Sequence, residues 1–256
     1  MGCSKCGREA EIFQDYSGLS LCRQHFRIDF CQKAKKTIRQ RHWLSPGDRY
    51  ALVMSGTPSD IVLLDFMHSL TGRRRDVHMI AVCAENTNCY PGAEALATAR
   101  GIPWIPIKGD KVPAAYHGDS VCNHLVVKES LIREIPQNAS HAGVNKIVVG
   151  CTLQDHAAFI LRCAISGNLP QYNDGEEECG LPIVRPFMHI PEHEVSLYAG
   201  LFLCEYADQV STGGNREASD PLSRTLERFY TRHPSVPFAL VNMGEQITSI
   251  MRLKEE

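Results

Sequence analysis

The sequence predicts an α/β protein, a Rossmann-like parallel sheet carrying a small N-terminal zinc finger. Three observations predict it. Short apolar runs at Tyr50–Met54, Val77–Cys83, Trp104–Ile107 and Lys146–Gly150 alternate with stretches of helical periodicity. That alternation is the signature of strand–helix units whose parallel sheet is covered on both faces. The first run leads directly into a small-residue turn, Ser55-Gly56-Thr57-Pro58-Ser59-Asp60, and then a helix. Ahead of the sheet stand Cys3-x-x-Cys6 and Cys22-x-x-His25, a spacing in which two short loops grip one ion.

Taken in order, residues 1–25 form the zinc finger, with Ser17-Gly18 supplying the turn between its two halves. Cys3, Cys6, Cys22 and His25 fill all four positions of a tetrahedral ion, so the zinc is expected to be structural. Eleven cysteines and no apolar leader stretch point to metal or redox chemistry in a reducing compartment, with the cytoplasm as the expected location. No apolar run is long enough to span a membrane. Hydrophobic residues make up 43% and charged residues 22% of the 256, an ordinary globular balance that can bury a core.

Residues 26–48 read as a basic helix and turn. Phe26, Ile28, Phe30, Ala34 and Ile38 mark an apolar stripe, and Ser45-Pro46-Gly47-Asp48 ends it. The net charge of −2 says nothing about nucleic acid, but its distribution does. Arg27, Lys33, Lys35, Lys36, Arg39 and Arg41 face one acid, Asp29, between Phe26 and Trp43. Such a helix is either a solvated face or a footprint for a phosphate backbone.

The α/β domain is expected over 49–180, with helices ending near Leu70, at about Gly92–Arg100, Leu125–His141 and Asp155–Ser166, and loops at Gly109–Ser120 and 167–180. Residues 181–256 are expected to be mainly helical, beginning at Pro191 and continuing through Asp220–Arg232 and Val236–Lys254. Cys83, Cys151 and Cys163 lie in or beside apolar elements and read as core. Cys179 sits in an acidic loop, and His189 and His193 straddle a helix start.

A strand, a small-residue turn and a helix N-terminus together aim backbone N–H groups at an anion. Here Pro58 has no N–H, Thr57 brings a Cβ where glycine would permit close approach, and Asp60 adds a negative charge. Ser59 as a plain N-cap is the competing reading.

The segments CSKCGREA and GLSLCRQHF, LSPGDRYALVMSG, KIVVGCTLQDHA and RPFMHIPEHEVSLYA resemble, in this order, the tRNA 2-thiolation enzymes of the TtuA and TtcA type. These belong to the PP-loop ATP-pyrophosphatase superfamily, and the likeness runs from Cys3 to about Arg232. The resemblance implies a PP-loop fold that uses ATP to adenylate a tRNA base. Sulfur then comes from a ubiquitin-like carrier, usually with an iron–sulfur cluster present. The family's SGGKDS is Ser55-Gly56-Thr57-Pro58-Ser59-Asp60 here, and its GHNLDDEA is Gly150-Cys151-Thr152-Leu153-Gln154-Asp155-His156-Ala157. The cluster-binding cysteine pair falls near Cys122 and His124, the third cysteine near Ala207 with Cys204 close by, and no cysteine follows Cys204.

These departures set the expectations. Ser55, Gly56, Thr57, Ser59 and Gly150 mark an altered nucleotide site that should bind ATP poorly, and no iron–sulfur cluster is expected. The leading reading is a non-catalytic subunit holding tRNA, an active paralogue or a second copy of itself, as the resemblance to the eukaryotic cytosolic wobble-uridine thiolation pair implies. A ubiquitin-like sulfur carrier is a further implied partner. Two rivals stay open: an active ATP-dependent tRNA sulfurtransferase with Asp155 and Cys122 as catalytic candidates, and a scaffold recruited to an unrelated complex.

Overall fold

The computed structural model describes residues 2–85, 91–107, 131–135, 143–167, 177–178, 180–207 and 221–255. Its centre is a six-stranded sheet of β3 (Arg49–Met54), β4 (His78–Ala84), β5 (Trp104–Ile107), β6 (Lys146–Val149), β7 (Glu177–Glu178) and β8 (Leu181–Val184), ordered β5-β4-β3-β6-β8-β7. Five strands are parallel, and β7 adds antiparallel to β8 at the edge. The four expected strands are present within a residue of their expected ends. The fifth parallel strand, β8, falls inside the stretch expected to be helical. At four residues, with Pro182 in it, it is too short for its alternation to stand out, and pairing of Ile183 with Ile147 defines it.

In the middle of the sheet β3 is buried on both faces from Tyr50 to Met54, which is why it reads as an unbroken apolar run. Alternate residues feed two cores. Leu52, Met54, Cys83, Val148 and Val184 join the larger one, beneath α1 (Arg23–Gln40), α2 (Pro58–Thr71) and α6 (Glu192–Phe202). Ala51, Val53, Val82, Ile147 and Ile183 join the smaller, with Leu131, Ile132 and Ile135 of the helical residues 131–135 (α4). The remainder of the expected helix around α4, with its Pro136, and the expected loop at 109–120 lie outside the described residues.

The helices α3 (Pro91–Ala99), α5 (Leu153–Ile165), α8 (Pro221–Arg232) and α9 (Val236–Glu255) keep their expected places with small shifts, and a short helix that was not expected, α7 (Cys204–Ala207), follows α6. In α1 the buried positions are Phe26, Phe30, Ala34, Thr37 and Ile38, one face at helical spacing. Ile28, expected in that stripe, is 43% exposed, because two residues along a helix turn a side chain to the far side. Among the described residues no helix is long and apolar enough to cross a membrane.

The N-terminal module is a hairpin, β1 (Ile12–Gln14) and β2 (Leu19–Leu21), with Ile12 opposite Leu21. Three-residue strands escape sequence reading. Cys3, Ile12, Leu21 and Cys22 share one core with Phe26 and Phe30 of α1, so the module is packed onto the sheet domain. A buried polar knot fastens it. The Glu194 carboxylate of α6, fully buried, accepts from Tyr16 Oη (2.5 Å), Gln14 Nε2 (3.0 Å) and Lys33 Nζ (3.1 Å). Lys33 also pairs with Asp29 one turn earlier, at 2.6 Å.

Candidate functional site

At the N-terminus, Cys3 Sγ and Cys22 Sγ lie 3.5 and 3.4 Å from His25 Nδ1, and Cys6 Sγ lies 3.9 Å from Cys22 Sγ. All four ligand atoms fall within 4.8 Å of one another. Four ligands about 2.0–2.3 Å from one ion at tetrahedral angles stand about 3.5–3.8 Å apart, so the set is spaced for a single metal. Burial raises the Cys3 thiol, but backbone N–H donors of Cys22, Lys5 and Cys6 outweigh it and bring it down to about 6. The thiolate that a metal requires is thereby favoured. At Cys6 the Arg8 backbone donor lowers the thiol, yet desolvation and the neighbouring sulfurs of Cys3 and Cys22 win and raise it. A cation at the centre would relieve that crowding. The donor set, three sulfurs and one imidazole, suits zinc or an iron–sulfur centre.

The second constellation stands where β3 and β6, neighbours in the sheet, both end. After β3, Thr57 precedes α2, Pro58 is the first helical residue and Asp60 the third. Asp60 Oδ2 accepts from the backbone N–H groups of Ser55 (2.6 Å), Gly56 (2.8 Å) and Thr57 (3.1 Å), and from Ser55 Oγ (3.0 Å). The loop does present consecutive amides to an anion, and the anion is the protein's own carboxylate. Gly56 holds a left-handed φ of 89° within this turn, a conformation suited to glycine. Ser59, expected as the cap, is the second helical residue instead, with its hydroxyl 2.7 Å from that of Thr57.

After β6 the same device recurs. Thr152 caps α5, its N–H donates to Asp155 Oδ2 (2.9 Å), and Asp155 N–H donates back to Thr152 Oγ1 (3.3 Å). This is a reciprocal capping box. Asp155, the expected catalytic candidate, therefore closes its own helix. The signal was present in the sequence as Thr-x-x-Asp twice, at Thr57–Asp60 and Thr152–Asp155, a capping pattern that sequence analysis missed behind the phosphate-loop reading. Gly150 brings the two loops together: a Cβ there would stand 3.0 Å from both the carbonyl oxygen and the hydroxyl of Ser59.

Ser55, Gly56, Thr57, Ser59 and Gly150 thus gather at one end of the sheet, with Asp155 in the following turn. Cys122 and His124 lie outside the described residues, and Cys204 is exposed on α7. A cleft of about 790 Å³ opens elsewhere, walled by Tyr16 of the hairpin, Asp155 and Arg162 of α5, His193 of α6, Tyr230 of α8 and Phe238 of α9. No residue of the 55–60 loop lines it.

The family model for the N-terminal LIM domain of the 2-thiouridine synthetase TtuA matches residues 3–27, which spans the four-ligand set. The tRNA-5-methyluridine(54) 2-sulfurtransferase of Thermus thermophilus is 27% identical over 216 residues, covering 77% of this chain and 65% of that protein. The U34-tRNA thiolase NcsA of Methanococcus maripaludis shares the fold at a TM-score of 0.77 and 18% identity, over 97% of this chain and 88% of that one. The chain is similar to tRNA 2-thiolation proteins of the TtuA/NcsA type, in its N-terminal module by the family model and over most of its length in sequence and fold. The cytoplasmic tRNA 2-thiolation protein 2 of rice (Oryza sativa subsp. indica) is 34% identical over 68 residues, 27% of this chain and 15% of that protein. One expectation is corrected. The solved NcsA carries a [4Fe-4S] cluster, which overturns the exclusion of iron–sulfur chemistry drawn from the displaced cysteines. That exclusion leaned on Cys122, which lies outside the described residues. The chain covers slightly less than two thirds of the Thermus protein's length.

Proposed function

We propose that this chain is a subunit of a tRNA 2-thiolation system that holds tRNA and an active paralogue without adenylating the base itself. The observation that carries this reading is the filled loop: the three backbone donors that would cradle a nucleotide phosphate are spent on Asp60. The residue after them, Pro58, has no donor to offer. Asp155 is committed to a cap as well. The short likeness to a cytoplasmic tRNA 2-thiolation protein 2 supports a paired subunit and a cytoplasmic setting. For the four N-terminal ligands the proposed ion is zinc, in a structural role, since four protein ligands leave no open position. A ubiquitin-like sulfur carrier would then serve the active paralogue.

Reconstitution tests this. Thiolated tRNA should form only when the chain and an active paralogue are both present, and Ser55→Ala in this chain should leave the yield unchanged. Thiolation by the chain alone with ATP and a sulfur donor would restore the active-enzyme reading. A paralogue that needs nothing from this chain would favour recruitment to another complex.

A further inference from the structure

The cleft walled by the hairpin and by α5, α6, α8 and α9 is separate from the loop after β3. Its volume of about 790 Å³ suits a small molecule or one residue of a polymer. α6 turns one side to it: His193, Ser196, Leu197, Gly200 and Leu201 recur at helical spacing, while Val195, Tyr198 and Ala199 on its other side join the core. Leu197 is 38% exposed, and a Cβ on Gly200 would meet no atom within 4 Å, so this stripe has room beside it. The other walls are rich in rings. Tyr16 and Phe238 lie with ring centroids 5.1 Å apart, and Tyr230 joins them. Tyr230 is 8% exposed, and its hydroxyl is buried with no partner among the described residues. Burial pushes that phenol up to about 12, so it stays a neutral donor. Such a group costs stability unless something completes the hydrogen bond. Gln154 uses Oε1 to accept from the Glu192 N–H at 2.7 Å, which leaves its NH2 group as a second donor in the lining.

The occupant follows from what adjoins the cleft. Lys33 of α1 donates to the Tyr16 hydroxyl and holds its ammonium 5.1 Å over that ring. Lys36, exposed, stands one turn further along the same side of α1. A basic surface thus ends at an aromatic cleft that has hydrogen-bond donors to spare. Proteins take up an unpaired nucleotide in this way: cations hold its phosphates, rings stack its base and donors read the base edge. An aliphatic side chain from a protein partner would leave the Tyr230 hydroxyl unmet. We infer that the cleft between the N-terminal hairpin and α5, α6, α8 and α9 receives one unpaired base of an RNA whose backbone lies along α1. It is distinct from the altered nucleotide site, since Ser55, Gly56, Thr57, Ser59 and Gly150 do not line it. The inference rests on the reading that the chain holds tRNA, and adds where one nucleotide goes.

The test uses the full chain and a short single-stranded RNA carrying 2-aminopurine at one internal position, with the same strand paired to its complement as control. Wild type should quench the single strand's fluorescence on binding, as stacking on rings does, and leave the duplex signal unchanged. Gly200→Leu plugs the cleft without touching the core, and Phe238→Leu removes a ring while keeping apolar bulk. Each should weaken single-strand binding by at least about fivefold. Salt dependence should stay that of wild type, because the phosphate contacts on α1 remain, and the melting midpoint should stay close to it. Tyr230→Phe separates a ligand-binding hydroxyl from a structural one. It should bind the RNA more weakly yet melt no lower than wild type, because the hydroxyl it loses had no partner. Should a variant not fold, 5-iodouridine at the probe position decides on wild type alone: light should cross-link it to Tyr16, Tyr230 or Phe238. Unchanged RNA binding in folded Gly200→Leu and Phe238→Leu overturns the inference, as do cross-links confined to other surfaces. A Gly200→Leu variant that keeps the RNA but loses the paralogue makes the cleft a protein interface, and overturns it too. If wild type binds tRNA while the probe is not quenched, only this inference falls; if it binds no RNA at low salt, the tRNA-holding reading falls with it.

Discussion

Single residues decide how firmly the two halves of the molecule are held. Glu194 is a fully buried carboxylate whose three donors come from the hairpin and from α1. Truncating it takes the acceptor from Tyr16 Oη, and leaves Gln14 Nε2 with Asp29 and Lys33 with Asp29 and the Tyr16 hydroxyl. Because Lys33 is a quarter exposed and keeps Asp29, the loss should be below that of a fully buried pair. Glu194→Ala is therefore expected to cost about 2–4 kcal/mol, read from urea denaturation; a loss under half of the lower figure would mean the knot is not holding the hairpin. Gly150 works by absence. A methyl group there meets the Ser59 carbonyl at 3.0 Å, a backbone atom that cannot rotate away. Gly150→Ala should destabilise by about 1–3 kcal/mol as overpacking, with melting as the readout, and an unchanged midpoint would show that the two loops are free to part.

At the scale of elements, α1 divides its charges between the fold and the solvent. Lys33 is tied to Glu194 and Asp29, Arg41 to Glu245 at 2.8 Å, and Arg27 stacks on Phe202 while reaching Asp65 at 3.9 Å. Lys35, Lys36 and Arg39 have exposed side chains on the helix's outer face. The sequence allowed a solvated face or a phosphate footprint; Lys33 and Arg41 are instead tied into the fold, and Lys35, Lys36 and Arg39 remain for either role. Charge reversal of Lys35, Lys36 and Arg39 to glutamate should weaken tRNA binding by at least about tenfold and flatten its salt dependence, leaving the melting midpoint near wild type. Filter binding across a salt series measures this, and equal affinity in the triple variant would move the RNA surface elsewhere. Reversal of Lys33 alone is expected to act on stability instead, because its partner is buried.

For the whole molecule, the N-terminal module is structurally part of the core, since Cys3, Ile12, Leu21 and Cys22 pack with Phe26, Phe30 and Trp43. Purified protein is expected to carry about one zinc per chain, and metal analysis should count zinc and iron together. Chelation, or Cys22→Ser, should lower the midpoint of the entire chain in one transition, followed by both far-ultraviolet dichroism and tryptophan fluorescence. A module that melts alone while Trp43 stays buried would contradict the shared core. The sequence by itself determined the strand–helix alternation, four of the five parallel strands and the four ligand residues, because each is written in local spacing: period, turn residues and paired knuckles. It also contained the two Thr-x-x-Asp caps, hidden beneath a stronger family pattern. Only the tertiary structure decided which charges of α1 face inward, that β8 completes the parallel sheet, and that the β6 loop is seated against Ser59. Those outcomes depend on where distant segments meet, as Glu194 meets Lys33 and Gly150 meets Ser59, and no local period encodes a contact between residues so far apart in the chain.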